Sequence, residues 1–151
     1  MKEVELAYAA GIVDGEGCIR ITHPGTLPTV YSISAEIVNT SKDMLDWFQC
    51  RWGGAIQKRK LRPRHKPTMT WVLQSNQAMQ FLTDIAPYLV VKKEQAMWVR
   101  ALQALNSKDE KWRATSWVNP QGRCDQKMPP DLLAVKEAIY QKMKVLNKRG
   151  V

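Results

Sequence analysis

Two carboxylates, Asp14 and Glu16, stand among glycines in "GIVDGEG", residues 11–17. Ahead of them, Val4, Ala7, Tyr8, Gly11 and Ile12 recur at helical spacing and predict a helix from about Lys2 to Asp14. Both acids then fall at the C-terminal end of that helix, the negative end of its dipole, where carboxylates are disfavoured unless a cation joins them. A divalent metal supplies such a cation. Ala7, Gly11 and Gly15 lie at i, i+4 and i+8, a stripe of small residues along which two helix backbones can approach closely. Close packing would offset the ~0.8–1.0 kcal/mol of helix propensity that each interior glycine forfeits relative to alanine. Two such helices side by side, one from each of two copies of the chain, bring two acidic ends together and make a two-carboxylate metal site suited to phosphodiester hydrolysis. Taken alone, the same residues also fit a helix stop whose acids face water.

The rest of the composition narrows the setting. The chain has 151 residues, 44% hydrophobic and 25% charged, enough for one globular domain with a core and too short for two. Lys and Arg number 23 against 14 Asp and Glu, a net charge of +9 that points toward a polyanion such as nucleic acid or toward an anionic membrane surface. Cys18, Cys50 and Cys124 are far apart and odd in number, which argues against a disulfide framework or a structural zinc site and for a reducing interior. The acids Glu3, Glu5, Asp14 and Glu16 exclude a signal peptide, and no apolar run reaches the ~18 residues needed to span a bilayer. The expected location is inside a cell or organelle, unsecreted and without membrane partners.

Hydropathy patterning places the acidic stretch within a simple order of elements. Residues 18–22 alternate as a strand, a Pro/Gly loop follows, and Tyr31 to Val38 alternates again, making a hairpin. Thr40 or Ser41 can cap a second helix with Met44, Leu45, Phe48 and Trp52 on one side, ended by Gly53-Gly54. Residues 55–61 and 68–73 predict a second hairpin around "RPRHKP", residues 62–67. Ser75 is the expected cap of a third helix through about Ile85, with Met79, Leu82 and Ile85 apolar. A fourth helix covers Lys92 to Leu105, with Ala96, Met97, Val99, Arg100 and Leu102 on or near its buried side. Residues 106–128 read as an ordered loop, and Pro129-Pro130 lead into a last helix, Leu132 to about Leu146. This is an α+β plan, αββαββα in its core, with one four-stranded antiparallel sheet and helices on one face. It forms a single domain over residues 1–151, with a core to about 105 and a C-terminal loop and helix from about 106.

The other sheet face is left open, and its residues are polar or basic. The outward set is Arg20, Thr22, Ser32, Ser34 and Glu36 on the first hairpin, then Gln57 and Arg59 on the second, with Arg62, Arg64 and Lys66 at its tip. Arginine pairs with guanine, glutamine with adenine, glutamate with the amino group of cytosine, and Ser or Thr with several edges, so this mixture suits base reading better than a uniformly basic stripe would. The last strand stays open, because Met69, Trp71 and Leu73 share one face and Thr68, Thr70 and Val72 the other.

The segment Ala9-Ala10-Gly11-Ile12-Val13-Asp14-Gly15-Glu16-Gly17 closely resembles the signature of the LAGLIDADG homing endonucleases, above all in its acid-Gly-acid-Gly ending run directly into a strand. The element order is similar to that family's core through about Leu105, and "LVVKKEQA", residues 89–96, looks like the family segment that brings a basic residue into the catalytic pocket. The resemblance implies that Glu16 is the metal-binding carboxylate, that the Gly15 carbonyl is a second ligand and that Asp14 is more structural. It puts Lys92 near the scissile phosphate, with Lys93 as the alternative. Where some members have a glutamine that positions water, this chain has Ser41, which is shorter. One motif copy implies a homodimer, with Ala7, Gly11 and Gly15 at a two-fold interface and paired sheets forming a saddle in the major groove of a long pseudo-palindromic double-stranded DNA site. The implied activity is metal-dependent cleavage by an intron-borne or free-standing homing endonuclease, with magnesium as the cofactor and manganese as its substitute. RNA is compatible with the charge but not indicated by these residues. The alternatives are a non-cutting DNA- or RNA-binding descendant, such as an intron maturase or a repressor, and a basic dimeric module with no nucleic-acid role.

Overall fold

The structure is a computed structural model that describes residues 2–23, 31–58, 67–115 and 129–148, and for 108–115 the helical backbone alone. Helix α1 (Glu3–Glu16) opens with the Lys2 backbone N–H donating to Glu5 Oε2 at 3.1 Å. It ends where the chain turns into strand β1 (Gly17–Thr22), and Gly17 has a steric reason to be glycine there. A Cβ at that position would lie 2.7 Å from the Val13 carbonyl oxygen and 2.8 Å from its α-carbon, both backbone atoms.

Strand β1 pairs antiparallel with β2 (Ser32–Asn39), which pairs with β4 (Met69–Gln74), which pairs with β3 (Ala55–Lys58), so the sheet order is β1-β2-β4-β3. Helix α2 (Lys42–Trp52) is capped by Ser41, whose Oγ accepts from the Met44 N–H at 3.4 Å, while Thr40 takes no part in the cap. Gly53 and Gly54 end it with φ of +73° and +84°, a conformation side chains rarely adopt. Gly54 is further constrained because a Cβ would sit 2.6 Å from Val72 O. Helix α3 (Ser75–Ile85) corrects the expected cap: Ser75 is the first helical residue, at φ +50°, and the position before it, Gln74, makes no side-chain cap bond. A 3-10 turn at Ala86–Tyr88 follows, consistent with Pro87 ending the helix.

Two corrections concern the C-terminal part. Helix α4 (Lys93–Thr115) continues through residues expected to form loop, because "NSKDEKWRAT" holds no Pro or Gly and contains several good helix formers. Residues 116–128, the remainder of that expected loop, lie outside the described residues. Helix α5 (Pro130–Leu146) begins two residues earlier than expected, with proline in its first turn, where the missing N–H is no loss.

The helices pack on one sheet face. Ile19, Ile21, Ile33, Ala35, Ile37, Trp71 and Leu73 point into this layer and meet Ala9, Ala10 and Val13 of α1, Leu45 and Phe48 of α2, Phe81 and Ile85 of α3, Val99 and Leu102 of α4 and Ile139 and Met143 of α5, all buried. Aromatic edges lock the middle: Phe48, Trp52, Trp71 and Phe81 form a chain of ring contacts with centroids 4.9–5.7 Å apart. On α1 the spacing gives the expected helix, and packing settles its inward side. Ala9, Ala10 and Val13 are buried, whereas Val4, Ala7, Tyr8 and Gly11 face outward. On α4, Met97 and Arg100 are exposed and line a surface groove with Val90, Val91 and Pro87. None of the described helices is long and apolar enough to cross a membrane.

Candidate active site and sheet face

The end of α1 is held by a contact across the fold. Asp14 Oδ2 accepts from the Val90 N–H at 2.8 Å and Oδ1 from the Lys92 N–H at 2.9 Å, so one carboxylate caps the approach to α4. Burial opposes its ionisation, but the amides of Val90, Lys92 and Val91 and the Lys92 charge outweigh that and hold Asp14 below the usual carboxylate range. The expected structural role for Asp14 thus has a specific form: it joins two helix ends rather than binding only within its own.

The same contact aims a cation. Lys92 Nζ donates to the Asp14 carbonyl at 2.5 Å, directly on the negative end of the α1 dipole. Lys92 is half-buried there, whereas Lys93 is exposed and lies along the groove of Thr83, Ala86 and Met97. The geometry therefore separates the two lysines that spacing left side by side. Gly15 and Glu16 follow Asp14 in the last turn of α1, both exposed, and the Glu16 carboxylate makes no hydrogen bond or ion pair among the described residues. Among the described residues no cluster of three or more His, Cys, Asp or Glu side chains converges on one point.

Immediately beyond Glu16 the open sheet face begins. Register puts Cys18 opposite Glu36, Arg20 opposite Ser34 and Thr22 opposite Ser32, so the first hairpin presents its expected outward set together with Cys18. Arg20 Nη2 lies 2.9 Å from Glu36 Oε2, and Arg20 Nε donates to Cys18 Sγ at 3.2 Å. Ser34 is on this face but buried beneath its neighbours, so its hydroxyl is less accessible than expected. Thr22 is exposed and its hydroxyl donates to the Ser32 carbonyl at 3.4 Å.

The parity of β4 is decided by pairing. Because Glu36 is opposite Val72 and Val38 opposite Thr70, the residues Thr70, Val72 and Gln74 share the open face while Trp71 and Leu73 enter the core. Gln57 joins them from β3, opposite Thr70. Gln74, exposed at the end of β4, was not singled out from the sequence, and only its pairing with Ser34 identifies it. Arg59, Arg62 and Arg64 lie outside the described residues.

The outward stripe on α1 is open in a single chain. A Cβ at Gly11 or Gly15 would meet nothing within 4 Å, and Ala7 and Gly11 are exposed beside Val4 and Tyr8. Alongside, Tyr8 packs edge-on to Trp47 at 5.2 Å, and Arg51 bonds Glu5 at 2.6 Å while covering the Trp47 ring.

Among solved structures the chain is similar to the homing endonuclease I-CvuI in complex with its target in the presence of calcium, with a TM-score of 0.69 and 22% identity over 98% of this chain and 84% of that one. It is also similar to the archaeal intron-encoded homing endonuclease I-Vdi141I complexed with DNA, with a TM-score of 0.72 and 14% identity over 100% of this chain and 89% of that one. The LAGLIDADG homing endonuclease I-GzeII in complex with a DNA target matches with a TM-score of 0.62 and 12% identity over 97% of this chain, but only 45% of its own. No family model and no curated protein matches the chain. At these identities the likeness is one of fold.

Proposed function

We propose, for a chain that carries the fold of the LAGLIDADG homing endonucleases, that it is a member of that family and cuts a long pseudo-palindromic DNA duplex as a homodimer, by metal-dependent phosphodiester hydrolysis. The observation that carries this reading is the end of α1: an exposed Glu16 beside the Gly15 backbone with no partner among the described residues, a lysine ammonium held on the Asp14 carbonyl, and an open polar sheet face starting two residues on, at Cys18. A larger relative of the fold supports the dimer, since this chain matches under half of I-GzeII and two copies are needed for equal extent. The exposed stripe of Ala7, Gly11 and Gly15 is the surface we assign to that two-fold contact.

The donors fit a hard divalent cation. Glu16 contributes a carboxylate and Gly15 a carbonyl, both oxygen, and a magnesium site of this kind uses one or two carboxylates and fills the remaining positions with water and substrate phosphate. Bound there, the ion supplies Lewis-acid polarisation of the phosphate. Lys92 stabilises the charge that develops on the phosphate oxygens, and its ammonium is already oriented by the Asp14 cap. The sheet face, with Arg20, Thr22, Ser32, Glu36 and Gln57, positions the duplex by its major-groove edges.

The test is to incubate the full chain, and its Glu16→Gln variant, with a randomised duplex library and magnesium, and to sequence the ends. Site-specific double-strand cuts at a near-palindromic sequence that vanish in Glu16→Gln are the expected result. Equal binding with no cutting by either protein would replace this reading with the non-cutting descendant.

A further inference from the structure

A carboxylate on a surface meant for DNA needs an explanation, because phosphates repel it. Glu36 sits on the open face of β2, and its side chain is 16% exposed against 44% for that of Arg20 on the neighbouring strand. The two are diagonal neighbours across the β1–β2 pair, two residues out of direct register, and are joined by the 2.9 Å contact between Nη2 and Oε2. A simple phosphate clamp would leave the guanidinium charge unopposed. Here the charge is offset, which removes most of its value for holding a backbone.

The arrangement instead preserves hydrogen-bonding capacity. Cys18 Sγ engages Nε and Glu36 engages Nη2, so the side edge of the fork is occupied and its orientation is set. Nη1 has no partner among the described residues, and Nη2 retains a second proton, so the end of the fork still presents two parallel donors. Two parallel donors match guanine O6 and N7. Glu36 keeps Oε1 as an acceptor, which matches the N4 amino group of cytosine, and both features lie on the major-groove edge of one base pair.

We propose that Arg20 and Glu36 act as one composite reader of a G·C base pair in each half-site, a proposal that rests on the DNA-cutting reading above. Its place in the site follows from the strand. Arg20 is four residues beyond Glu16, about 13 Å at ~3.3 Å per residue, or about four base pairs at ~3.4 Å each from the phosphate we place at Glu16. The read pair belongs to the inner part of the half-site.

Binding-site selection from a randomised duplex library tests this, using the full chain with Glu16→Gln as the parent and Arg20→Gln, Arg20→Lys and Glu36→Gln added singly and Arg20→Gln with Glu36→Gln together. The parent is expected to select a symmetric G·C pair about four base pairs from the position at which the unsubstituted chain, mapped separately with magnesium, cuts each strand. Arg20→Gln and Glu36→Gln each lose that preference by about 5- to 150-fold, corresponding to ~1–3 kcal/mol, at this position alone, while Arg20→Lys loses less, because an ammonium still donates to guanine. The double variant loses no more than the singles. Arg20→Gln is decisive, since it removes both the fork and its charge and leaves an amide suited to adenine: retention of the G·C preference overturns the proposal. Uniform weakening across all sequences also overturns it, by making Arg20 a backbone contact. A parent that selects no duplex at all overturns the DNA-cutting reading itself, an outcome distinct from selection that ignores Arg20 and Glu36.

Discussion

Asp14 ties two chain segments together through charge-assisted bonds to backbone amides, and its consequences are testable with one atom exchanged. Asn keeps the size and one acceptor but cannot accept at both the Val90 and Lys92 amides. Asp14→Asn is expected to lower stability at pH 7 by about 1–3 kcal/mol in urea unfolding, and to reduce any cleavage further by releasing Lys92. The pH dependence has a definite sign. The carboxyl of Asp14 lies below its ordinary value in the folded state, so its contribution is fully present above the unfolded pKa of about 4 and is lost as pH falls through the folded one. The gap between wild type and Asp14→Asn should therefore be full at pH 7 and shrink below about pH 4. A gap independent of pH would show that the carboxylate's charge plays no part. At the same scale Gly17 shows how a motif residue can be required by the chain itself, through the backbone of Val13, while Gly11 and Gly15 are not.

Among the elements, α5 does more than extend the chain. Ile139 and Met143 enter the core, Asn147 donates to the Ile19 carbonyl at 2.9 Å on the edge strand, and Tyr31 donates to Glu137 at 2.6 Å. This satisfies one backbone carbonyl of edge strand β1 and ties α5 to the residue just ahead of β2. The hydrogen bond from Tyr31, with that from Gln141, holds Glu137 below the carboxylate range, while burial and the Glu137 partner push the Tyr31 hydroxyl well above its ordinary value. Tyr31→Phe should let the Glu137 pKa rise toward the ordinary glutamate value of 4.5 in an NMR titration and cost about 1–3 kcal/mol in urea. An unmoved Glu137 titration would mean the bond does not persist in solution.

For the whole molecule, the question is what covers the outward face of α1. If a second copy does, a large residue at Gly11 leaves the folded chain unharmed, because a Cβ there has open space, and replacing a helical glycine favours the helix by about 0.5–1 kcal/mol. Gly11→Leu should then keep or raise the thermal midpoint of the chain while the assembly sediments as a monomer and double-strand cutting is lost. A monodisperse dimer for Gly11→Leu would refute the packing of these helices. With one Glu16 per chain and no other acidic cluster among the described residues, the same variant separates the need for two chains from the integrity of one.

The local signals in this chain were strong wherever spacing alone determines structure. The alternation of residues 18–22 and 31–38, the Gly53-Gly54 stop and the acid-glycine ending at 14–17 all led to the elements and to the candidate site we propose, because helix and strand periods repeat within a few residues. Locality left the inward side of α1 open, since small and apolar residues occur on both faces and only packing shows that Ala9, Ala10 and Val13 go inward. It also missed the second half of α4, where polar residues form helix without an apolar period to announce it. Three matters belonged to tertiary structure. The open face of β4 depends on register with β2, the seating of Lys92 rather than Lys93 on the end of α1 depends on a contact 78 residues away in sequence, and the Arg20–Glu36 pair depends on a hairpin bringing two strands side by side. Each is a meeting of distant residues whose energy depends on how whole elements pack, so the types and spacing that determine the elements cannot by themselves determine those meetings.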